Sequence, residues 1–366
     1  MKKTNLIFTL ASIFVLAACT PANKPHPYED GPQKTIKGTG TMFHESLGFN
    51  TKDGTIFEED GVRYVVYATN EVSEGEQVFA ARKGTLNNGV WTYGEKYIAL
   101  RPDAKSWDNY IYNPAVIKGK FNYQGTEYKY LMAYNGNDNE MNTNNHIGLA
   151  VSNNILSEWT KVGDEAILTN PEVHEASSGF GGCSLVSFDN EGKGYLFYTV
   201  GETDVTFQAA KSYDFSDLDN IVLEKGYTSI PVTGLNDKAN VNMISNASFA
   251  ISSNKETLYI VRDRLPASGN KPNQTTEVEI SKADINILGS VSESWTNVGY
   301  ISGFDTMDET DENSLGWDQI YSADFVTNPY GVMLDTNEFD VCYSTFDEES
   351  TLVNYSATLA IYHISL

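Results

Sequence analysis

Along most of this 366-residue chain, apolar and polar positions alternate in short runs separated by Gly, Asn and Asp, the period-2 signature of half-buried strands. One kind of run occurs five times: Asp53-Gly-Thr-Ile-Phe, Asn113-Pro-Ala-Val-Ile, Gly182-Cys-Ser-Leu-Val, Asn246-Ala-Ser-Phe-Ala and Ser322-Ala-Asp-Phe-Val. Each begins on a small or polar residue, crosses two mostly small positions and ends on two mostly apolar ones. A turn follows, then a second strand that is apolar throughout: Tyr64 to Tyr67, Tyr130 to Tyr134, Tyr195 to Tyr198, Leu258 to Val261 and Val341 to Tyr343. From Tyr67 the steps to Tyr134, Tyr198, Val261 and Tyr343 are 67, 64, 63 and 82 residues, a regular period with an insertion before the last unit. A third strand pattern follows in the form Val78 to Arg82, Ile147 to Ser152 and Thr206 to Ser212, and Trp91, Trp159 and Trp295 close several units. Four short strands repeated five times predict an all-β, five-bladed β-propeller, because one such blade cannot bury both faces alone. A two-sheet sandwich is the competing architecture, but it imposes no period of this length.

Composition agrees with strands and turns: 22 Tyr, 17 Phe and 29 Gly, with few runs of helical periodicity. The N-terminus departs from the pattern. Lys2 and Lys3, the apolar stretch Leu6 to Leu16 and the finish Ala17-Ala18-Cys19 read as an export signal whose apolar run is too short to span a bilayer. Leu16-Ala17-Ala18-Cys19 matches the bacterial lipobox, which predicts cleavage before Cys19 and its lipidation; Thr20 after it resembles an outer-membrane sorting signal if the host has two membranes. An ordinary secretory signal is the alternative. Residues 19–40, rich in Pro, Gly and charge, read as the lipidated cysteine and a tether, and residues 41–366 as the propeller.

The net charge of −24 repels nucleic acid and anionic lipid, so the expected partner is neutral or cationic, the membrane is met through the lipid anchor only, and the chain is expected to be a monomer. Cys183 and Cys342 lie in apolar runs and read as buried free thiols. The histidines have no metal-ligand spacing, which argues against zinc, and no cofactor is required; the Asn-rich segment 135–145 could hold Ca²⁺, but it lacks EF-hand spacing and reads equally as a long hairpin loop. Nucleotide-binding glycine motifs and the nucleophile elbow are missing.

In a propeller the first strand of each blade lines the axis, so Asp53, Asn113, Gly182, Asn246 and Ser322 are expected to form one ring at a shared funnel. Sugars need flat apolar faces beside polar groups. Trp107, Tyr110, Tyr112, Phe180, Trp317 and Tyr321 lie near the funnel in sequence, and each also suits ordinary blade packing. Two loops share a Trp-Asp pair, Trp107-Asp108 and Trp317-Asp318, and His174-Glu175 precedes the third blade; each carboxylate reads either as chemistry or as a turn or surface residue.

The wording of residues 52–69, 113–121, 128–136, 145–163 and 192–201 resembles the five-bladed propeller glycoside hydrolases, above all the family 43 arabinofuranosidase and xylosidase group, with families 32 and 117 as relatives. The resemblance runs over residues 41–366. It implies a base aspartate at the start of the first blade, where Asp53 stands, and two further carboxylates where this chain has Asn113 and Gly182, a degenerate acidic triad. It implies hydrolysis of neutral oligosaccharides or polysaccharides, with Asp108, Glu175 or Asp318 as acid or charge modulator. His174 or His146 enters by analogy with family 117. Trp107, Tyr112, Asn113, His174, Asn246, Trp317, Tyr321 and Ser322 are the expected substrate contacts. A non-catalytic carbohydrate-binding propeller is the alternative.

Overall fold

A computed structural model describes residues 38–42, 49–73, 76–139, 143–169, 179–201, 206–235, 246–264, 277–290, 292–302, 319–346 and 357–366. Cys19, His174, Glu175, Trp317 and Asp318 lie outside them. Five antiparallel sheets follow one another along the chain. The first described strand is β1 (Gly38–Met42). Blade one is β2 (Thr51–Glu59), β3 (Val62–Thr69), β4 (Val78–Asn87) and β5 (Val90–Tyr93), with β6 (Tyr97–Leu100) also on β4. Blade two is β7 (Tyr110–Tyr123), β8 (Thr126–Asn137), β9 (His146–Ser152) and β10 (Thr160–Lys161). Blade three is β11 (Gly179–Ser187), β12 (Lys193–Gly201), β13 (Thr206–Asp214) and β14 (Val222–Leu223), with β15 (Thr228–Ser229) also on β13. Blade four is β16 (Ala247–Ile251), β17 (Thr257–Arg264), β18 (Glu277–Asp284) and β19 (Thr296–Ser302). Blade five is β20 (Gln319–Phe325), β21 (Glu338–Phe346) and β22 (Ala357–Ser365), and its fourth strand is β1.

The second strand of each blade reads as a continuous apolar run because both its faces are covered. Val65, Val66, Tyr67 and Ala68 of β3 are all buried, and they alternate between two interfaces. Val66 and Ala68 pack with Met132, Tyr134 and Ala150 of blade two, whereas Val65 and Tyr67 pack with Cys342, Leu359 and Ile361 of blade five. The remaining three clusters fill the other three blade interfaces, so the core is a wheel of five wedges rather than one central mass. Trp159 and Trp295 are wedge residues: each is buried, and Trp295 Nε1 donates to the Pro231 carbonyl at 2.7 Å. Cys183 and Cys342 are buried free thiols.

The ring is closed by the two ends of the described chain. β1 pairs antiparallel with β22 from Gly38↔Ile364 to Met42↔Ala360, so the strand straddles the boundary drawn after residue 40. Its direction follows from the registers. β20 begins near the ring residue Ser322, its partner β21 ends there, and β22 begins beside the end of β21 at Phe346↔Ala357. β22 therefore finishes at the far end of the blade, and Gly38, paired near that finish, enters the propeller from the end opposite the ring.

Candidate functional site

The five repeated motifs meet around one axial cavity. Its walls are Asp53-Gly54, Asn113-Pro114, Gly182-Cys183, Asn246-Ala247-Ser248 and Ser322-Ala323-Asp324, and its volume of about 30 Å³ suits one or two waters rather than a sugar ring. The first residue of every motif has left-handed backbone, with φ of 54° at Asp53, 49° at Asn113, 46° at Gly182, 45° at Asn246 and 50° at Ser322. In blades one, two, three and five a register shift falls at this point, between Lys52 and Thr55, Tyr112 and Ala115, Gly181 and Ser184, and Tyr321 and Asp324. Four of the five ring positions are thus β-bulges that turn a residue toward the axis, and the fifth, Asn246, takes the same backbone just before β16. Gly, Asn and Asp are the residues that tolerate this backbone, so the ring's composition answers first to geometry and only then to chemistry.

The second strand supplies a supporting layer. Opposite each bulge stands Tyr67, Tyr134, Tyr198, Arg262 or Tyr343, and the next residue outward is Ala68, Asn135, Thr199, Asp263 or Ser344. Two of these accept the backbone N–H of the next blade's ring residue: Ser344 Oγ from Asp53 at 3.0 Å, and Asp263 Oδ1 from Ser322 at 2.8 Å. Asn135 reaches the third blade at the Phe180 carbonyl, 2.7 Å away.

Three carboxyl groups stand at this end of the axis, Asp53 and Asp263 buried and Asp324 partly buried. Asp53 is 7% exposed; burial raises its pKa, while the Lys52 charge, the Ser322 hydroxyl and the Asn113 N–H favour its anion. Asn113 Nδ2 donates to Ser322 Oγ at 3.2 Å, which positions that hydroxyl. Asp263, 2% exposed, accepts from Asn246 Nδ2 at 2.7 Å as well as from Ser322. It is pushed up to about 8, chiefly by burial and further by the Asp53 charge, against its two donors and Arg262. Asp324, on the cavity wall, is pushed up to about 6 by burial against hydrogen bonds from Ser248, Thr55 and the Phe325 N–H. Cys183 Sγ donates to the Asn113 carbonyl at 3.2 Å, and burial lifts its thiol to about 12, which keeps it out of nucleophilic chemistry at neutral pH. Among the described residues no group of three or more His, Cys, Asp and Glu could hold a metal. The described part of the Asn-rich segment closes the β8–β9 hairpin on itself, Asn137 Nδ2 donating to Asn145 Oδ1 at 2.6 Å.

Asn113, Asn246 and Ser322 stand in the ring beside Asp53. Tyr112 is nearly buried with the Lys52 ammonium 5.0 Å from its ring centroid, and Tyr321 immediately precedes the fifth bulge. Asp108 is elsewhere. It is 1% exposed, accepts the Tyr134 hydroxyl at 2.9 Å and pairs with Lys161 Nζ at 2.6 Å, so a fixed cation compensates it. Trp107 lies against blade two, stacked on Tyr134 at 5.6 Å and meeting His146 edge-on at 6.3 Å. The approach is so close that a Cβ on Gly148 would come within 2.3 Å of the indole. Burial lowers the His146 pKa, which leaves its imidazole neutral at pH 7. Asp263 and Asp324 escaped the sequence reading. The signals were a carboxylate where other blades have Thr55, Ala115, Ser184 and Ser248, and an Arg-Asp-Arg run closing an apolar strand.

No protein-family model matches the chain, and no curated protein is significantly similar to it in sequence. Solved structures are similar in fold. A GH62 hydrolase in complex with xylotriose superposes with a TM-score of 0.56 at 13% identity, covering 92% of this chain and 99% of that one. A family 117 glycoside hydrolase produced by the marine bacterium Zobellia galactanivorans gives 0.56 at 11% identity, over 90% and 92%. A thermostable family-43 glycoside hydrolase gives 0.52 at 13% identity, over 89% and 92%. In fold, this chain is a five-bladed β-propeller of the kind these glycoside hydrolases share.

Proposed function

We propose that this chain is a glycoside hydrolase acting on neutral oligosaccharides or polysaccharides at the ring end of the propeller, with Asp53 as the base. The observation that carries this reading is the gathering of Asp53, Asp263 and Asp324 at one axial network on a fold whose structural neighbours are glycoside hydrolases. Glycosidic cleavage needs one carboxyl group that gives a proton and one carboxylate that activates water or attacks the sugar. Asp324, held near 6 on the cavity wall, retains part of its protonated form close to neutrality and is the candidate acid within the ring. Glu175 and Asp318 are the loop candidates. The buried ion pair to Lys161 speaks against Asp108 in this role. An arabinofuranosidase or xylosidase specificity is the first to test. Asp53→Asn, which keeps a residue suited to left-handed backbone, is expected to lower hydrolysis at least ~100-fold on whichever aryl-glycoside the wild type cleaves, with little change in Tm. Normal turnover by this variant would remove Asp53 from the mechanism.

A second reading, a glycan-binding propeller without turnover, draws on Gly182 and the two ring asparagines, which contribute no carboxylate. Calorimetric binding of an oligosaccharide without release of reducing ends would favour it. In either reading we place the protein on the cell envelope through a lipid on Cys19. The entry of Gly38 from the end opposite the ring supports a ring mouth turned away from the membrane. Cys19→Ala is expected to move the protein from the membrane to the soluble fraction.

A further inference from the structure

Asp263 and Ser344 occupy the same place in successive blades, and each accepts the N–H of the next ring residue. A hydroxyl is sufficient for that task between blades five and one. Between blades four and five the same task falls to a carboxyl group that is 2% exposed, a placement that carries a desolvation penalty a serine would avoid. Among the described residues, the Arg262 charge relieves this penalty only in part. Arg262, its neighbour on β17, points its guanidinium at Glu279 at 2.6 Å, and Arg264 pairs with Glu277 at 2.9 Å. The remaining charged group that Asp263 meets is Asp53, a like charge on β2. The connection between them is Ser322: its N–H is fixed by Asp263 and its hydroxyl serves Asp53, while Asn246, held by the other Asp263 oxygen, fixes the fourth ring position.

We propose that Asp263 is a positioning residue for Asp53, acting through Ser322 to orient its hydroxyl partner and through its own proton to set the charge that Asp53 carries. This rests on the hydrolase reading for its kinetic consequence, though not for the coupling itself. The two carboxyl groups behave as a pair, so that removing one changes the titration of the other.

The test is Asp263→Ser, which copies blade five, beside Asp263→Asn. Both are compared with wild type by kcat and KM and by carbon-detected NMR titration of the Asp53 carboxyl. Asp263→Ser is expected to keep Tm at pH 7 close to wild type, to lower kcat ~10-fold or more with KM within ~3-fold, and to remove from the Asp53 titration the second step at about pH 8, where Asp263 gives up its proton. The double variant Asn246→Asp with Asp263→Asn, which restores a donor facing an acceptor, is expected to recover part of kcat. A wild-type Asp53 titration without a second step at about pH 8, or one whose second step persists in Asp263→Ser, overturns the proposal, as does an unchanged kcat. If wild type cleaves no glycoside, the hydrolase reading fails alone, and the titration still decides the coupling.

Discussion

Asp108 and Asp53 are both buried aspartates beside an axial strand, yet their surroundings differ in kind. Asp108 has a cation, Lys161, at 2.6 Å and a phenol at 2.9 Å; Asp53 has a hydroxyl and a backbone N–H, a lysine acting at longer range, and another acid as neighbour. The first arrangement ties a loop to a blade through an ion pair. In the second, burial works against charge without full compensation, raising Asp53 and pushing Asp263 up to about 8. Burial alone therefore does not mark a site. Burial that nearby cations offset only in part, shared between two acids, does so better.

The contrast breaks most visibly at Asp108. Asp108→Ala leaves Lys161 to its other partner, Asp103 at 2.9 Å, and takes the acceptor from the buried Tyr134 hydroxyl, so denaturant unfolding should show a loss of about 1–3 kcal/mol, with any hydrolytic activity of the folded fraction intact. A loss of turnover in fully folded protein would instead return Asp108 to the chemistry. Gly148→Ala attacks the same corner by volume: a methyl against Trp107 should lower stability by about 1–3 kcal/mol, read as a fall in Tm, because the indole has Tyr134 behind it.

On the ring side the sharper instrument is pH. Asp263 has a folded pKa of about 8 against 3.8 for the free group, so the native state holds a proton that the unfolded chain gives up. Its contribution to stability is fully present below about pH 4 and is lost as pH rises toward and through 8. Asp263→Asn removes that slope. The variant should be less stable than wild type at pH 5, where two donors lose an ideal acceptor, and equal or more stable at pH 9; parallel Tm curves would show that Asp263 carries no extra proton. The smallest effect is expected at Ser322, the ring residue least suited to φ 50°. Ser322→Gly relieves the backbone and removes a hydroxyl, so Tm should move by a few degrees at most while the Asp53 titration shifts upward.

The propeller was legible because its repeat is local. A ring residue followed on the next strand by an apolar run is written into some 20 consecutive residues of each unit. The fourth unit shows where this stops. Its equivalent of Tyr67, Tyr134, Tyr198 and Tyr343 is Arg262, not the Val261 that the apolar pattern suggests, and a slip of one residue moves a strand's side chains to the opposite face. That slip hid Asp263 among residues that looked like the frayed end of a strand. β1 was hidden for another reason. Gly-Thr-Gly-Thr-Met carries no pattern of its own, and its partner is more than 300 residues away. The Trp107-Asp108 pair carries two readings in the sequence because an indole beside an acid has the same spelling whether it faces a sugar or packs on a ring such as Tyr134.

The closure at β1 also constrains how the molecule is made. The first described strand to be synthesised has nothing to pair with until the last one arrives, so four blades are complete before the wheel can shut. Until then β1 and the unfinished fifth blade present open edges of the sort that invite pairing with another chain. Assembly thus ends on its slowest, most non-local contact. Loss of only the final strand would strand both termini at once, turning a closed wheel into an open arc whose axial ring has no fixed circumference.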